Sequence, residues 1–449
     1  MDKDLIILVA VGDICLGAGV RDSIRQFGSD FPFAQCSPIL QNADVVFGNL
    51  EMVLYEKGTP LKENRLDFKA PLHYGEGLKR AGFRVLSVAN NHILDFGAQA
   101  CRDTLNFLKR QGIQTVGCGE NLQEARKPAI LTVRGKRIGF LAYSENVGQS
   151  AGPNQPGVAP IKKKYWVEDI LALRPQVDLI VVSLHADLEF LAYPAPWRVR
   201  LSRQLIDAGA DLVLQHHPHV PQGVERYGKG MIVYSLGSFV FPVYGNSYAN
   251  HPYTDQSFVL RVWMGNRVEV KQIEVEAASL ELDNTSSRLN NVWATGKISH
   301  PANLRLPAKA GNNNFRRMSE SRNGGRFKIC PHSFDATDYE IVGAEFLPVL
   351  INQFHQPVPL VGEDRQKFLM KLHKISLPLH DLEFLDRFWA ISCRRSLCIH
   401  WSWLKEAYWD MGWREVLRRM RFLARTTENR RWLLGLVPGL VRFGFWDNL

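Results

Sequence analysis

Five short apolar runs constrain this chain more than any other feature: "IILVAVGD", "DVVFGNLE", "VLSVANNH", "VDLIVVSLHAD" and "DLVLQHHPH". Each has the length and near-continuous aliphatic content of a strand buried on both faces, and each empties into a polar loop. Helical patterns lie between them. In "GAQACRDTLNFLKRQG", Ala98, Cys101, Leu105 and Leu108 share one face and Gly112 stands at the C-terminal cap. Two hairpins are expected as well. "PAILTVRGKRIGFLAYSE" turns at Arg134-Gly135-Lys136, and "QSFVLRVWMGNRVEVKQIEVE" turns at Gly265-Asn266. The class that follows is mixed α/β with antiparallel additions.

The loops after these runs carry a particular set of side chains. The first run ends at Asp13, the second at Asn49 and Glu51, and the third at Asn90, Asn91, His92 and Asp95. A later run ends at His185, and the last at His216, His217 and His219. In open α/β sheets the ligand crevice lies beyond the carboxyl ends of the strands, so five strands deliver donors to one edge. Oxygen and imidazole donors without thiolate suit Zn, Mn or Fe. Two such ions sharing a carboxylate would clamp a phosphoryl oxygen and activate water.

Each residue alone has a plainer reading. Asp13 could be a turn residue or helix cap, Asn91 could supply a left-handed turn, and His92 could be a satisfied core imidazole. His217 and His219 are set apart by Pro218, which fixes the backbone while both rings project together. Taken jointly, the plainer readings require the right donor at all five edges by coincidence. A glycine-containing stretch, "TVGCGEN", lacks the Lys-Ser/Thr of a phosphate loop and reads as a tight turn.

Composition bounds the setting. The chain of 449 residues has a formal net charge of +10, which favours anionic partners. Seven cysteines, odd in number and without a CxxC pair, suggest reduced thiols rather than a disulfide framework. The N-terminal run is flanked by Asp2, Lys3 and Asp4 and reads as a strand, not a leader. No stretch reaches the roughly 18 apolar residues of a membrane span, so the expected location is cytoplasmic or peripheral to the membrane.

Organisation changes along the chain. Residues 1–276 carry the strand and helix alternation, and residues 277–329, rich in Asn, Ser, Gly and Arg, read as a polar linker or excursion. Residues 330–449 read as a mainly helical extension, and 7 of the 11 tryptophans lie between Trp389 and Trp446. From Asp386 onward there are 12 Lys+Arg against 6 Asp+Glu. Trp409, Trp413, Val416, Leu417 and Met420 share a helical face beside Arg414, Arg418 and Arg421. That pattern fits either a helical module with a solvated basic side or a contact with the membrane surface. Charge without an accompanying motif does not point to nucleic acid.

The blocks "VGDICLG", "GNLE", "SVANNHILDFG", "VVSLHADLEF", "DAGADLVLQHHPHVPQGVE" and "IVYSLGSFVF" resemble, in order and spacing, the signature blocks of the CapA family. These are proteins of poly-γ-glutamate capsule synthesis, whose domain is similar to calcineurin-like metallophosphoesterases. The resemblance covers roughly residues 5–275 and implies a two-layer β-sandwich flanked by helices, with a dinuclear site between the sheets. It implies that Asp13 and His219 ligate one metal, that Asn91, His185 and His217 ligate the other, and that Glu51 takes the bridging place. It also implies that His92 is the general acid, oriented by Asp95. A ligating histidine usually needs an acceptor for the N–H of its far nitrogen, and Glu189 or Glu225 could serve. Metallophosphatases place a histidine where this chain has Cys15, a histidine that the CapA family also generally lacks; from that family the chain departs at Ser238, which stands for the usual Asn. It has His185-Ala186-Asp187 for the usual His-Trp-Gly, and Gln215 for the Gly before the histidine pair.

Two functions remain open at this stage. One is a metal-dependent hydrolase, with two divalent ions, acting on a phosphoester or another anionic bond of a small molecule or envelope polymer. The other is a non-catalytic metal-binding component of a polymer synthesis or export assembly.

Overall fold

The computed structural model describes residues 5–60, 67–145, 149–266, 339–390 and 392. Its first strand shows why the apolar runs are nearly continuous. In β1 (Ile6–Ile14), Ile6, Leu8 and Ala10 join one core while Val9, Val11 and Ile14 join another, which leaves no side for water. β2 (Val45–Leu50) and β3 (Phe83–Ser87) divide the same way: Val45, Phe47 and Val85 enter the first core, Val46 and Leu86 the second. β4 (Gln114–Val116) extends this parallel run.

A second sheet follows in the chain: β5 (Ala129–Val133), β6 (Lys136–Ser144), β7 (Leu179–His185), β8 (Leu212–His216), β9 (Val224–Tyr227) and β10 (Gly230–Val233). Its order is β9-β10-β8-β7-β6-β5, with antiparallel strands at the two edges. The chain then returns to the first sheet with β11 (Ser238–Val240), parallel to β1, and β12 (Gln256–Asn266), antiparallel to it. β13 (Tyr339–Ile351) and β14 (Pro357–Pro359) complete the order β14-β13-β12-β1-β2-β3-β4.

The sheets pack face to face, with Phe47 of one stacked on Phe140 of the other at 5.8 Å. On the outside, α1 (Ala18–Phe27) and α2 (Gly97–Arg110) cover the first sheet through Val20, Ile24, Cys101 and Leu108. α3 (Lys163–Leu173) and α4 (Pro196–Asp207) cover the second through Trp166, Ile170, Val199 and Leu205. The expected α/β sandwich flanked by helices is therefore the architecture found. Arg134 and Gly135 form a two-residue turn between β5 and β6, both at positive φ as such a hairpin requires. Gly112 closes α2 at φ +75°. Among the described residues, Cys15, Cys36, Cys101 and Cys118 are buried and free. No helix among the described residues is long and apolar enough to cross a membrane.

One expectation is corrected, and another gains a strand-built beginning. Gly265 and Asn266 do not turn: they stay in the ladder opposite Glu340 and Tyr339, so β12 pairs with β13 rather than with the stretch that follows it. The extension expected to be mainly helical from residue 330 does carry helices, over 362–376 and 382–390, but where it is described it begins with strands β13 and β14. The cause is period-two patterning, with Tyr339, Ile341, Ala344 and Phe346 buried in the inter-sheet core. α5 (Gly362–Ser376) then lays Phe368, Leu369, Leu372 and Ile375 on that same core, and helix resumes over 382–390. Residues 339–376 thus share a core with residues 5–266. The polar stretch 277–329 and the Trp/Arg-rich face at 409–420 lie outside the described residues.

Phe346 meets Phe258 edge-on at 5.8 Å in the shared core. The substitution Phe346→Ala is expected to cost about 3–5 kcal/mol of stability and to shift one denaturant transition seen alike by circular dichroism and fluorescence. A separate early transition would instead mark residues 339–376 as an independent unit.

Candidate functional site

Parallel strands of both sheets end at the same rim, and local chemistry holds each end there. Gly12 lets β1 approach β11: a Cβ on it would lie 1.8 Å from the Gly237 carbonyl oxygen. Asp13 N donates to that carbonyl at 3.0 Å, which sets the carboxylate at the rim. Glu51 follows β2, its N donating to the Ile14 carbonyl at 2.9 Å. Asn90 builds the turn after β3. Its Oδ1 accepts from the backbone N of His92 and Ile93, and its Nδ2 donates to the Leu50 carbonyl at 2.8 Å. His185 is the last residue of β7 and His216 the last of β8. His217 and His219 follow at φ +98° and +56°, left-handed conformations that a non-glycine residue adopts only when its surroundings enforce them.

Glu51 is the centre of the constellation. Its Oε1 lies 3.4 Å from His185 Nε2, 3.7 Å from His219 Nε2 and 3.8 Å from His92 Nε2. Asp13 sits beside it, with Oδ2 3.3 Å from His219 Nδ1 and Oδ1 accepting from Asn49 Nδ2 at 2.9 Å. Asn91 spans two rings: its Oδ1 is 2.8 Å from His185 Nε2 and its Nδ2 is 3.1 Å from His92 Nε2. Asp95 Oδ2 holds His92 Nδ1 at 2.6 Å, and Phe68 stacks on the His92 ring at 3.6 Å. The rings of His185 and His217 are 4.7 Å apart. Two groups of side chains bring ligand atoms within 4.8 Å of one another: Asp13, Glu51 and His185, and Glu51, His217 and His219.

The electrostatics of this cluster call for a cation. Both oxygens of fully buried Glu51, together with His217 Nδ1 and His219 Nε2, have no hydrogen-bond partner. Buried polar atoms are rarely left so, and several facing one point fit a metal ion. Burial, then the charge of Asp13, pushes the Glu51 carboxyl well above the usual carboxylate range. Burial would also raise Asp13, but its hydrogen bonds with His216 and His219 outweigh that and hold it well below. Burial, then the His217 ring, holds His185 well below the ordinary imidazole range. Burial, then the His219 ring, takes His217 down to about 3. Neutral imidazoles and an oxygen-rich remainder are the donor set that Mn, Zn or Fe accept.

All eight residues expected at the site, Asp13, Glu51, Asn91, His92, Asp95, His185, His217 and His219, are gathered by these contacts. Cys15 does not join them. It lies in the core behind α1, where burial pushes its thiol up, and neither candidate ligand group includes it. Glu225 is no acceptor for a ring of the cluster: Arg203 at 2.7 Å and the Tyr234 hydroxyl at 2.6 Å hold it instead. Glu189 bears on the site through its charge, which helps raise Glu51. Other residues orient the rings. Asn49 Nδ2 is 3.2 Å from His185 Nδ1, Ser238 Oγ is 3.2 Å from His219 Nδ1, and Gln149 Nε2 donates to Asp95 Oδ1 at 3.4 Å. Asn49 stood at a strand end in the sequence; nothing near Gln149 marked it.

With the geometry in place, kinship is decisive. A family described as bacterial capsule synthesis protein PGA_cap matches residues 7–243. The chain belongs to that family. It is 33% identical over 249 residues to the capsule biosynthesis protein CapA of Bacillus anthracis, covering 54% of this chain and 61% of the relative. It is 34% identical over 242 residues to the PGA biosynthesis protein CapA of Bacillus subtilis (strain 168), covering 53% and 64%. The PGA_cap chain described here thus spans less than two thirds of either relative. Solved structures with distant likeness include a novel phosphatase from Mycoplasma pneumoniae, at TM-score 0.36 and 16% identity over 58% of this chain and 88% of that one. Another is a 5'-nucleotidase precursor from Thermus thermophilus, at TM-score 0.37 and 16% identity over 57% and 51%.

With His185 and His217 held low and the Glu51 carboxyl held high, Glu51 is the group whose proton a bound cation would displace. Manganese affinity, measured by calorimetry, is therefore expected to fall as pH drops through the raised range of Glu51. Glu51→Gln should bind more weakly and lose most of that dependence; an unchanged pH profile in the variant would contradict the assignment.

Proposed function

We propose that this PGA_cap protein is a metal-dependent hydrolase of phosphoester-type or other anionic bonds, serving the metabolism of a capsule or envelope polymer. The observation that carries the reading is Glu51, fully buried with neither oxygen satisfied and lying between His92 from the first sheet and His185 and His219 from the second. Asp13, Glu51, Asn91, His185, His217 and His219 would hold two divalent ions, of Mn, Zn or Fe. Once bound, such ions polarise a substrate oxygen and favour the ionised form of the attacking water. The printed names of the CapA relatives support the polymer context.

His92 does the proton work. Asp95 at Nδ1 orients the ring, so that Nε2, which faces Glu51 and Asn91, is the nitrogen that would deliver a proton to the leaving oxygen. Phe68 across the ring face keeps it in that plane and excludes water from one side. Asn91 bonds both the His92 ring and His185, so the acid and the ligand set move as one unit.

Two variants test this. His217→Ala is expected to lose bound metal and turnover of phosphomonoester and phosphodiester substrates together. His92→Ala should retain metal by elemental analysis while turnover falls by about 10² to 10⁴. Retained metal with no turnover by the unmodified protein on a broad anionic panel would favour a binding component of a polymer assembly.

A further inference from the structure

Behind the histidines lies a fully buried guanidinium that the site chemistry does not use. Arg198, in the first turns of α4, has no exposure, nor does the side chain of its ion-pair partner Asp187. Its Nη1 donates to Asp187 Oδ2 at 2.7 Å and to Gln222 Oε1 at 3.2 Å. Its Nε donates to Gln215 Oε1 at 2.5 Å, and its Nη2 to the Tyr234 carbonyl. These acceptors are not scattered. Asp187 is two residues past His185, Gln215 immediately precedes His216, and Gln222 lies three residues past His219.

Each loop that brings an imidazole from the second sheet is therefore fastened to one rigid fork of donors. The fastening continues outward: Asp187 Oδ2 also accepts from Ala195 N at 2.9 Å, Gln222 Nε2 donates to the Leu191 carbonyl at 2.8 Å, and Gln215 Nε2 to Ser202 Oγ. The two loops also meet directly, Phe190 N donating to the Pro218 carbonyl at 2.8 Å. Asp187 adopts φ +98°, a conformation that costs a non-glycine residue and that its pairing with Arg198 offsets. Stability is a poor reason for such a pair, since desolvating two charges commonly outweighs their attraction. Geometry is a better one, because the planar five-donor fork fixes several acceptors at once where a lysine would fix one.

We propose that Arg198 is a positioning residue that sets the spacing between the His185 loop and the His217–His219 loop, and thereby how tightly the site binds a divalent cation. This rests on the reading of the cluster as a metal site. The test titrates manganese into the full chain by calorimetry, with the Mn(II) electron paramagnetic resonance line shape and the melting temperature as parallel readouts. Arg198→Lys and Asp187→Asn are expected to weaken binding by about tenfold or more and to alter the line shape. Glu225→Gln breaks another ion pair of α4, the partly buried one with Arg203, and should lower the melting temperature while leaving affinity and line shape unchanged. If the two variants bind manganese as the unmodified protein does, or if Glu225→Gln weakens it equally, the positioning role is overturned. Where Arg198→Lys does not fold, Asp187→Asn decides alone. An unmodified protein that binds no manganese overturns the metal reading itself, and this proposal with it.

Discussion

A carboxylate sealed between two sheets with nothing donating to either oxygen is the constraint around which this molecule is arranged. Glu51 in that state is unfavourable for folding, and the neighbourhood does not relieve it: Asp13 adds like charge, and the imidazoles of His185 and His217 are neutral. The fold nevertheless holds it there through covered strands, a Gly12 that admits no side chain, and two histidines in left-handed backbone. A bound positive charge would relieve that cost. The folding cost and the binding capacity are then the same free energy seen from two directions.

Two kinds of support surround the cluster, and they differ in chemistry. Towards the first sheet, short amides dominate: Asn49 and Asn90 tie strand ends to one another with single hydrogen bonds. Towards the second, one cation gathers three side-chain acceptors and a carbonyl. Asp187 and Gln215, where the chain departs from the pattern its family resemblance implies, are both acceptors of that cation. Departures that looked independent along the chain meet at one side chain in space.

Much of the site was legible in the residues alone. The strand ends could be read because a strand buried on both faces is a continuous apolar run, and its first polar residue marks the rim. Residues that work by contact across the chain were not legible. Arg198 looks like any helix arginine until its neighbours are known, and Gln149 approaches Asp95 from a loop 54 residues away. The strands that open the extension beyond residue 330 were missed for a similar reason. β13 finds its partner β12 only after a long interval, and local periodicity carries no information about a distant pairing. The family match to residues 7–243 stops short of both strands, so the first sheet is wider than the segment that kinship covers.

That late pairing has an architectural corollary. The ladder closes with Asn266 opposite Tyr339, so the two ends of the intervening sequence are held side by side, as in any tight hairpin. Closing a loop costs entropy that grows only with the logarithm of its length. The sandwich is therefore nearly indifferent to how many residues are threaded between those two positions. Met264, just before the junction, pairs with Ile6 at the start of β1, whereas Asp13 stands at its finish. A change in the length of that stretch therefore acts on the sandwich at the start of β1, a whole strand away from the end that carries Asp13.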